Sequence, residues 1–298
     1  GSVRDAPAVV SPLIEALIIR VPDGRCFWIR LTHPFSTGMP YAALMLSPIT
    51  RTVGGDALAA TPSKNKERSK KRVTKFVLEA TDVSRQVEGP SGTLTILNDV
   101  SLKVARGQAL AVTGPSGSGK STLIALLAGL DQATSGKIML VGSDLGVLDE
   151  DGRARLRAGR VGFVFQSFYL VDTLTALENV MLPLELAGDD APRDKAADWL
   201  DRVGLSDRHD HYPKQLSGGE QQRVAISRAF AIEPQILFAD EPTGNLDDAS
   251  SDQVAELLFS LCSTRQAALV LVTHDMALAQ RCDQHLRLER GQVIGVHQ

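Results

Sequence analysis

The sequence predicts an α/β domain wound around a largely parallel sheet, and three observations carry that prediction. Short apolar runs recur along the chain: ALAVTG at Ala109–Gly114, VGFVF at Val161–Phe165, ILFAD at Ile236–Asp240 and ALVLVTHD at Ala268–Asp275. Each is too short for a helix and is apolar on both faces, as a fully buried strand requires. Stretches at helical spacing lie between these runs, and strands alternating with helices make a parallel sheet. Finally, ALAVTG runs straight into a Gly-rich loop that opens a helix, STLIALLAGL.

The elements follow in chain order. Residues 1–72 read as a disordered N-terminal extension, because Pro, Gly, Ser and Thr recur without period and apolar residues keep neither spacing for long. The segment ends in KNKERSKKR, Lys64–Arg72, a solvated basic run of the kind that docks on anionic lipid or serves as a linker. From residue 73 to the C-terminus the texture is that of a folded domain. KFVLEATDVSRQV and TLTILNDVSLKVARG predict strands over Phe76–Val83 and Leu94–Val104, read as an antiparallel edge added to the parallel sheet. KIMLVG is a further strand. Leu174–Ala187, Ala196–Val203, Gln221–Ala231 and Ser251–Cys262 carry helical patterns. The chain has no internal repeat.

Bulk properties exclude several functions. The 298 residues hold one large domain or two small ones, and 43% hydrophobic with 22% charged residues is ordinary for a globular protein. Aromatic residues make up 5%, too few for a stacking-rich binding surface. Residues 1–72 carry 11 Lys/Arg against 5 Asp/Glu, and the remainder carries 21 against 30. The body is therefore acidic, which argues against general nucleic-acid binding. Cys26, Cys262 and Cys282 form no CxxC and no metal spacing, so they read as free thiols of a reducing compartment. No apolar run reaches the roughly 20 residues that span a bilayer. Leu13–Val21 is short and interrupted by Glu15 and Arg20, and it lacks the shape of a secretory signal. If the chain acts at a membrane, another protein is expected to do the spanning.

The chemistry starts at GPSGSGKS, which comprises Gly114, Pro115, Ser116, Gly117, Ser118, Gly119, Lys120 and Ser121. It matches G-x-x-x-x-G-K-[ST] between a strand and a helix, the context the motif needs. The glycines let backbone amides close around phosphate oxygens, Lys120 reaches the β and γ phosphates, and Ser121 ligates Mg²⁺ with Thr122 beside it. ILFADEP places Asp240 at the end of a buried strand, where a carboxylate can hold Mg²⁺ through water. Glu241 follows at once and can orient or deprotonate an attacking water; the plainer reading is a helix-capping or exposed carboxylate. Gln166 ends VGFVF and can touch Mg²⁺ or that water. His274 ends the last core strand. A lone His is more often structural, but at the edge that carries Asp240 it can contact the γ-phosphate and hold Glu241. LSGGEQQR, Leu216–Arg223, reads as a helix start whose Ser217, Gly218 and Gly219 suit an anion, with an ordinary helix cap as the plainer reading.

In this order, GPSGSGKS, Gln166, LSGGEQQR, ILFADEP, GNLD and His274 resemble an ABC-type ATPase from about Val73 to the C-terminus. GFVFQSFYLVDTLTALENVMLP and FADEPTGNLD look like the lipoprotein-release and macrolide-export branch, and LRAGRVGFVFQSF and LFSL look like its YbbA-type members. The resemblance implies a P-loop NTPase with a RecA-like core, an antiparallel β subdomain and an α-helical subdomain at about 167–230. It implies ATP and Mg²⁺ as ligands, and a head-to-tail pair of identical chains with two ATP molecules between them. Ser217, Gly218 and Gly219 would then complete the partner's site, Asp247 of GNLD would help link the two sites, and Arg223 would carry charge toward phosphate. An integral membrane permease would be driven from the cytoplasmic face of the inner membrane, contacted around Ser167–Asn179. Export or membrane extraction of a lipophilic or lipoprotein-like substrate is the expected work. The alternative is a soluble ABC ATPase acting on nucleic acid or ribosomes. One departure stands out: the family's adenine-stacking aromatic should fall near Val87, and none is there. Arg85 is the residue expected to cover the ring instead.

Overall fold

The computed structural model describes residues 16–20, 26–30, 76–89 and 92–297. The chain divides into two units, residues 1–48 and 49–298. In the first, β1 (Ala16–Arg20) pairs antiparallel with β2 (Cys26–Arg30), from Ala16↔Arg30 to Arg20↔Cys26. The sequence reading gives no element there. ALIIR and CFWIR are nonetheless rich in β-branched and aromatic residues, which favour extended backbone. The basic run Lys64–Arg72 and most of the expected disordered extension lie outside the described residues.

The second unit begins with β3 (Phe76–Gly89), β4 (Gly92–Ala105) and β5 (Ala109–Thr113), then α1 (Lys120–Leu127), β6 (Ser135–Leu140) and β7 (Ser143–Asp144). There follow α2 (Glu150–Arg157), β8 (Val161–Phe165), α3 (Ala176–Leu186), α4 (Pro192–Arg202) and α5 (Gly218–Ala231). The chain continues through β9 (Ile236–Asp240), α6 (Asp248–Arg265), β10 (Ala268–Val272), α7 (Met276–Ala279), β11 (Gln284–Glu289) and β12 (Gln292–His297).

Two sheets result. The larger has the order β12-β11-β5-β10-β9-β8, parallel except for β12, which pairs antiparallel with β11. The smaller, β4-β3-β6-β7, is antiparallel throughout. The early strands therefore form a sheet of their own and not an edge of the parallel one; the antiparallel edge is the C-terminal β12. Burial explains the separation. From Val100 to Val104, buried positions in β4 alternate with exposed ones, so one face is covered. β8 and β10 are buried at every position and need cover on both faces.

The helices supply that cover. α3, α4 and α5 share a core through Val180, Leu184, Trp199, Leu200, Ile226 and Phe230. α3 starts at a capping box between Thr175 and Glu178, and α4 starts with Pro192, whose missing N–H costs nothing at a helix start.

Register then sets the functional edge. Val272 lies opposite Val112 in β5 and Asp240 in β9, and Asp240 lies opposite Phe165 in β8. The chain segments leaving these strands emerge side by side, and they carry Gly114, Gln166, Glu241 and His274.

Candidate active site

The loop between β5 and α1 is shaped by its glycines. Gly114 has φ 148°, and a Cβ there would stand 2.0 Å from the Leu288 carbonyl oxygen of β11. Gly119 has φ 101°, and its Cβ would meet Leu97 of β4 at 2.8 Å. Only glycine fits either place without displacing backbone or core. The turn after β11 braces the loop from behind, with Gly291 N–H donating to the Ser118 carbonyl at 3.1 Å. Pro115, Ser116 and Gly117 are exposed to an incoming ligand.

Lys120 Nζ donates to the Gly114 and Pro115 carbonyls at 2.8 and 3.0 Å, so the ammonium sits over the loop it is expected to serve. No side chain caps α1 and no acidic residue lies in its first turn. Amides at a helix start with no acceptor of their own favour an anion.

Asp240 ends β9 half-buried, with its carboxylate beside the Ser121 hydroxyl. Burial pushes the carboxyl above the usual range and the Glu241 charge adds to the rise, while Ser121 and Lys120 oppose it. Among the described residues no group of three or more His, Cys, Asp or Glu converges as a metal cage. A hydroxyl and one carboxylate beside a phosphate cradle suit Mg²⁺, which takes oxygen ligands and keeps several from substrate phosphates.

Glu241 has φ 48°, left-handed for a non-glycine residue, and its N–H is anchored on the Val272 carbonyl at 2.9 Å. Its Oε2 is 2.8 Å from His274 Nδ1, while the His274 N–H donates to the same oxygen at 3.4 Å. The Glu241 side chain is 18% exposed and that of His274 74%. The imidazole thus screens the carboxylate from one side and orients it.

Gln166 is held by a residue that the sequence reading misses. Its Nε2 donates to Asn245 Oδ1 and its carbonyl accepts from Asn245 Nδ2, both at 3.0 Å. A Cβ on Gly244 would meet Gln166 Nε2 at 2.8 Å, so the Gly of GNLD is what lets this approach occur. Beyond Gln166, the fully buried Asn179 accepts from Val171 N–H and donates to the Val171, Leu174 and Thr175 carbonyls, fixing the segment ahead of α3. The visible signal for Asn245 is its place in GNLD; an Asn inside a helical pattern gives none for Asn179.

Ser217 is the N-cap of α5. Its hydroxyl accepts from Glu220 N–H at 3.3 Å, and the Ser217 N–H donates to Glu220 Oε2 at 2.8 Å. The plainer reading, an ordinary cap, thus holds within the single chain. Gly219 packs on Ser250, where a Cβ would come within 3.2 Å, and Arg223 Nη1 lies 3.9 Å from the same point. Asp247 is the N-cap of α6 and accepts from the Ser250 amide and hydroxyl at 2.9 and 2.8 Å, which holds its carboxyl below the usual range. At the expected base position, Val87 pairs across the hairpin with Leu94, both exposed. Arg85 is committed to Asp131 at 3.0 Å.

Comparison with known proteins gives the family. The family profile described as "ABC transporter" matches residues 97–244. The ABC transporter ATP-binding protein YbbA of Escherichia coli K12 is 53% identical over 219 residues, 73% of this chain and 96% of that protein. The lipoprotein-releasing system ATP-binding protein LolD of Bdellovibrio bacteriovorus is 44% identical over 217 residues, 72% of this chain and 99% of that one. A solved dimer of the ATP-binding cassette MJ0796, in a post-hydrolysis state with ADP and Pi, superposes with TM-score 0.69 at 35% identity, over 74% of this chain and 98% of that one. The chain therefore belongs to the ABC transporter ATP-binding family, and it is an ATPase of that family.

Proposed function

We propose that two copies of this chain pair head to tail, enclose two Mg²⁺-ATP between them, and drive a separate integral membrane permease. The observation that carries the catalytic half is the adjacency of two pairs: Ser121 with Asp240, and Glu241 with His274. In this reading Lys120 and the amides of Ser116–Thr122 hold the phosphates, with Gly114 and Pro115 shaping the loop, and Ser121, Asp240 and Gln166 hold Mg²⁺. When bound, the ion neutralises charge developing on the β and γ oxygens. Glu241 positions the attacking water and accepts its proton, and His274 keeps the carboxylate aimed. Ser217, Gly218 and Gly219 close the partner's site, with Asp247 beside them.

What supports the pairing is the dimeric cassette with 35% identity. What supports the permease is the company of transporter subunits, together with the finding that no described helix is long and apolar enough to cross a membrane. The chain then sits peripherally on the cytoplasmic face of the inner membrane. α3, α4 and α5 form its helical subdomain, with Ser167–Asn179 toward the permease and residues 1–72 as an extension. Lipoprotein-like or lipophilic substrates, exported or extracted, are the favoured cargo because the LolD relatives are named for lipoprotein release. The acidic body disfavours nucleic acid.

The test is Glu241→Gln. The variant binds ATP, loses turnover, and elutes as an ATP-dependent dimer in size-exclusion chromatography. A monomer with ATP at high protein concentration overturns the sandwich. Co-purification of the full chain with a membrane protein checks the permease.

A further inference from the structure

Helix α5 carries a buried glutamine and a half-buried arginine with no part in the chemistry described so far. Gln222 is fully buried, its Nε2 donates to the Pro242 carbonyl directly after Glu241, and its Oε1 has no partner. Arg228 donates through Nη2 to the Phe168 carbonyl at 2.9 Å and through Nη1 to the Tyr169 carbonyl at 2.6 Å. Burial with no neighbouring anion holds its pKa down to about 10. Arg228 is half-buried, and a guanidinium partly withdrawn from water for two carbonyls carries a desolvation cost, so the residues it holds bear on its purpose.

Those residues are unusual. Phe168 and Tyr169 have φ 60° and 47°, consecutive aromatic residues in the left-handed region, two positions past Gln166. Such backbone persists only where its surroundings impose it. The Phe168 ring reaches the start of α5, 3.8 Å from where a Gly218 Cβ would stand, and the Tyr169 ring meets Phe165 edge-on at 5.2 Å between centroids. Glu241 too is left-handed, and Gln222 holds the turn immediately behind it. One helix, headed by Ser217–Gly219, therefore grips both the loop that carries Gln166 and the loop that carries Glu241.

We propose that Gln222 and Arg228 are positioning residues through which α5 sets the placement of Glu241 and Gln166. Because α5 is a single rigid element of 14 residues, a shift at its Ser217 end reaches both loops together. The assignment rests on the ATPase activity and not on the two-copy arrangement.

Gln222→Met is the cleaner test. It removes one hydrogen bond and the unpartnered Oε1 together, two effects that offset in stability. The full chain should unfold within a few degrees of the parent. We expect kcat to fall about tenfold with KM for ATP within about threefold, since small misplacements of catalytic groups cost that much or more. In the nucleotide-free protein, amide hydrogen exchange should quicken at 241–244 and not along α5. Arg228→Lys keeps the charge but loses the two-pronged grip, and should give the same kinetic split with faster exchange at 167–171. A kcat within twofold of the parent in Gln222→Met, or unchanged exchange at 241–244, overturns the proposal. If Arg228→Lys fails to fold, Gln222→Met decides alone.

Discussion

Two helix starts in this molecule are built from the same residue types and finished in opposite ways. α1 begins after Gly119 with no side-chain cap and no acidic residue in its first turn. α5 begins at Ser217 with a complete capping box, and Glu220 is further held by Arg208 at 3.0 Å. The Ser217 N–H heads the causes that keep the Glu220 carboxyl below its usual range, with Arg208 assisting. α1 is thus left wanting an anion, whereas α5 has supplied its own. Ser and Gly at a helix start do not by themselves mark a phosphate site; what decides is whether the chain has already satisfied the amides. The exposed Ser217 hydroxyl and the Gly face beside it can only serve a phosphate brought from outside, and in the proposed pairing that phosphate is the partner's.

Damaging each start in turn separates their roles. Lys120→Ala removes the cation over the α1 loop, and ATP binding should fall by about two orders of magnitude or more, as for a lost charge-assisted phosphate contact. Ser217→Asp is the complementary lesion. Asp caps helices as well as Ser does, so α5 stays formed, but a carboxylate now faces the incoming triphosphate. That variant should bind ATP as a single chain and lose hydrolysis. Mixing the two inactive proteins should restore part of the activity, since one composite site then combines an intact α1 loop with an intact α5 start. If Ser217→Asp hydrolyses ATP at the parent rate, its role ends at the helix cap.

A smaller effect sharpens the α1 side. Asp240 has a folded pKa above its usual value, so its proton is held more tightly in the fold than in the unfolded chain. Stability from the neutral carboxyl is therefore present at low pH and lost as pH rises from the ordinary aspartate value through the raised one. At neutral pH the charge is a burden on the nucleotide-free protein. Asp240→Asn should raise its unfolding midpoint while weakening Mg²⁺-dependent ATP binding by about tenfold. Parallel thermal scans with and without Mg²⁺-ATP check both signs. A lower midpoint without nucleotide contradicts the account.

The parallel sheet was legible because β5, β8, β9 and β10 are buried on both faces and so read as unbroken apolar runs. β11 and β12 were not: QHLRLE and QVIGVH mix polar and apolar residues, and their role behind Gly114 depends on a contact 174 residues away in sequence, between Gly114 and Leu288. α2 escaped for a related reason. EDGRARLR looks like a solvated charge run, yet Arg153 and Arg157 are buried and tied to Glu150, and Arg157 also reaches the Gly129 carbonyl. In the candidate site, the residues expected to meet ligands sit in recognisable motifs; of those that hold them, Asn245 and Gln222 lie inside GNLD and LSGGEQQR, but their pairing with Gln166 and the Pro242 carbonyl, like the contacts of Asn179 and Arg228, is set by the fold and not by any local pattern.

The smallest expected effect concerns the other end of the nucleotide. α1 and its loop can hold the phosphates of any nucleoside triphosphate, so base preference must come from elsewhere. At Val87 and Leu94 the hairpin of β3 and β4 offers an aliphatic pair, 40% and 64% exposed, and Arg85 is tied to Asp131 and so is not free to cover a ring. Stacking on an aromatic contributes roughly 1–3 kcal/mol per base, and that contribution is missing here. KM values for ATP and GTP should therefore agree within about threefold, given that 1.4 kcal/mol corresponds to a factor of about ten. Val87→Tyr supplies the stacking face on an exposed strand position, and it should tighten ATP by several-fold while leaving kcat unchanged, because Val87 touches none of the groups around Glu241. A parent protein that already prefers ATP by more than tenfold would show that the base is read by residues other than this pair, and Val87→Tyr would then give no gain.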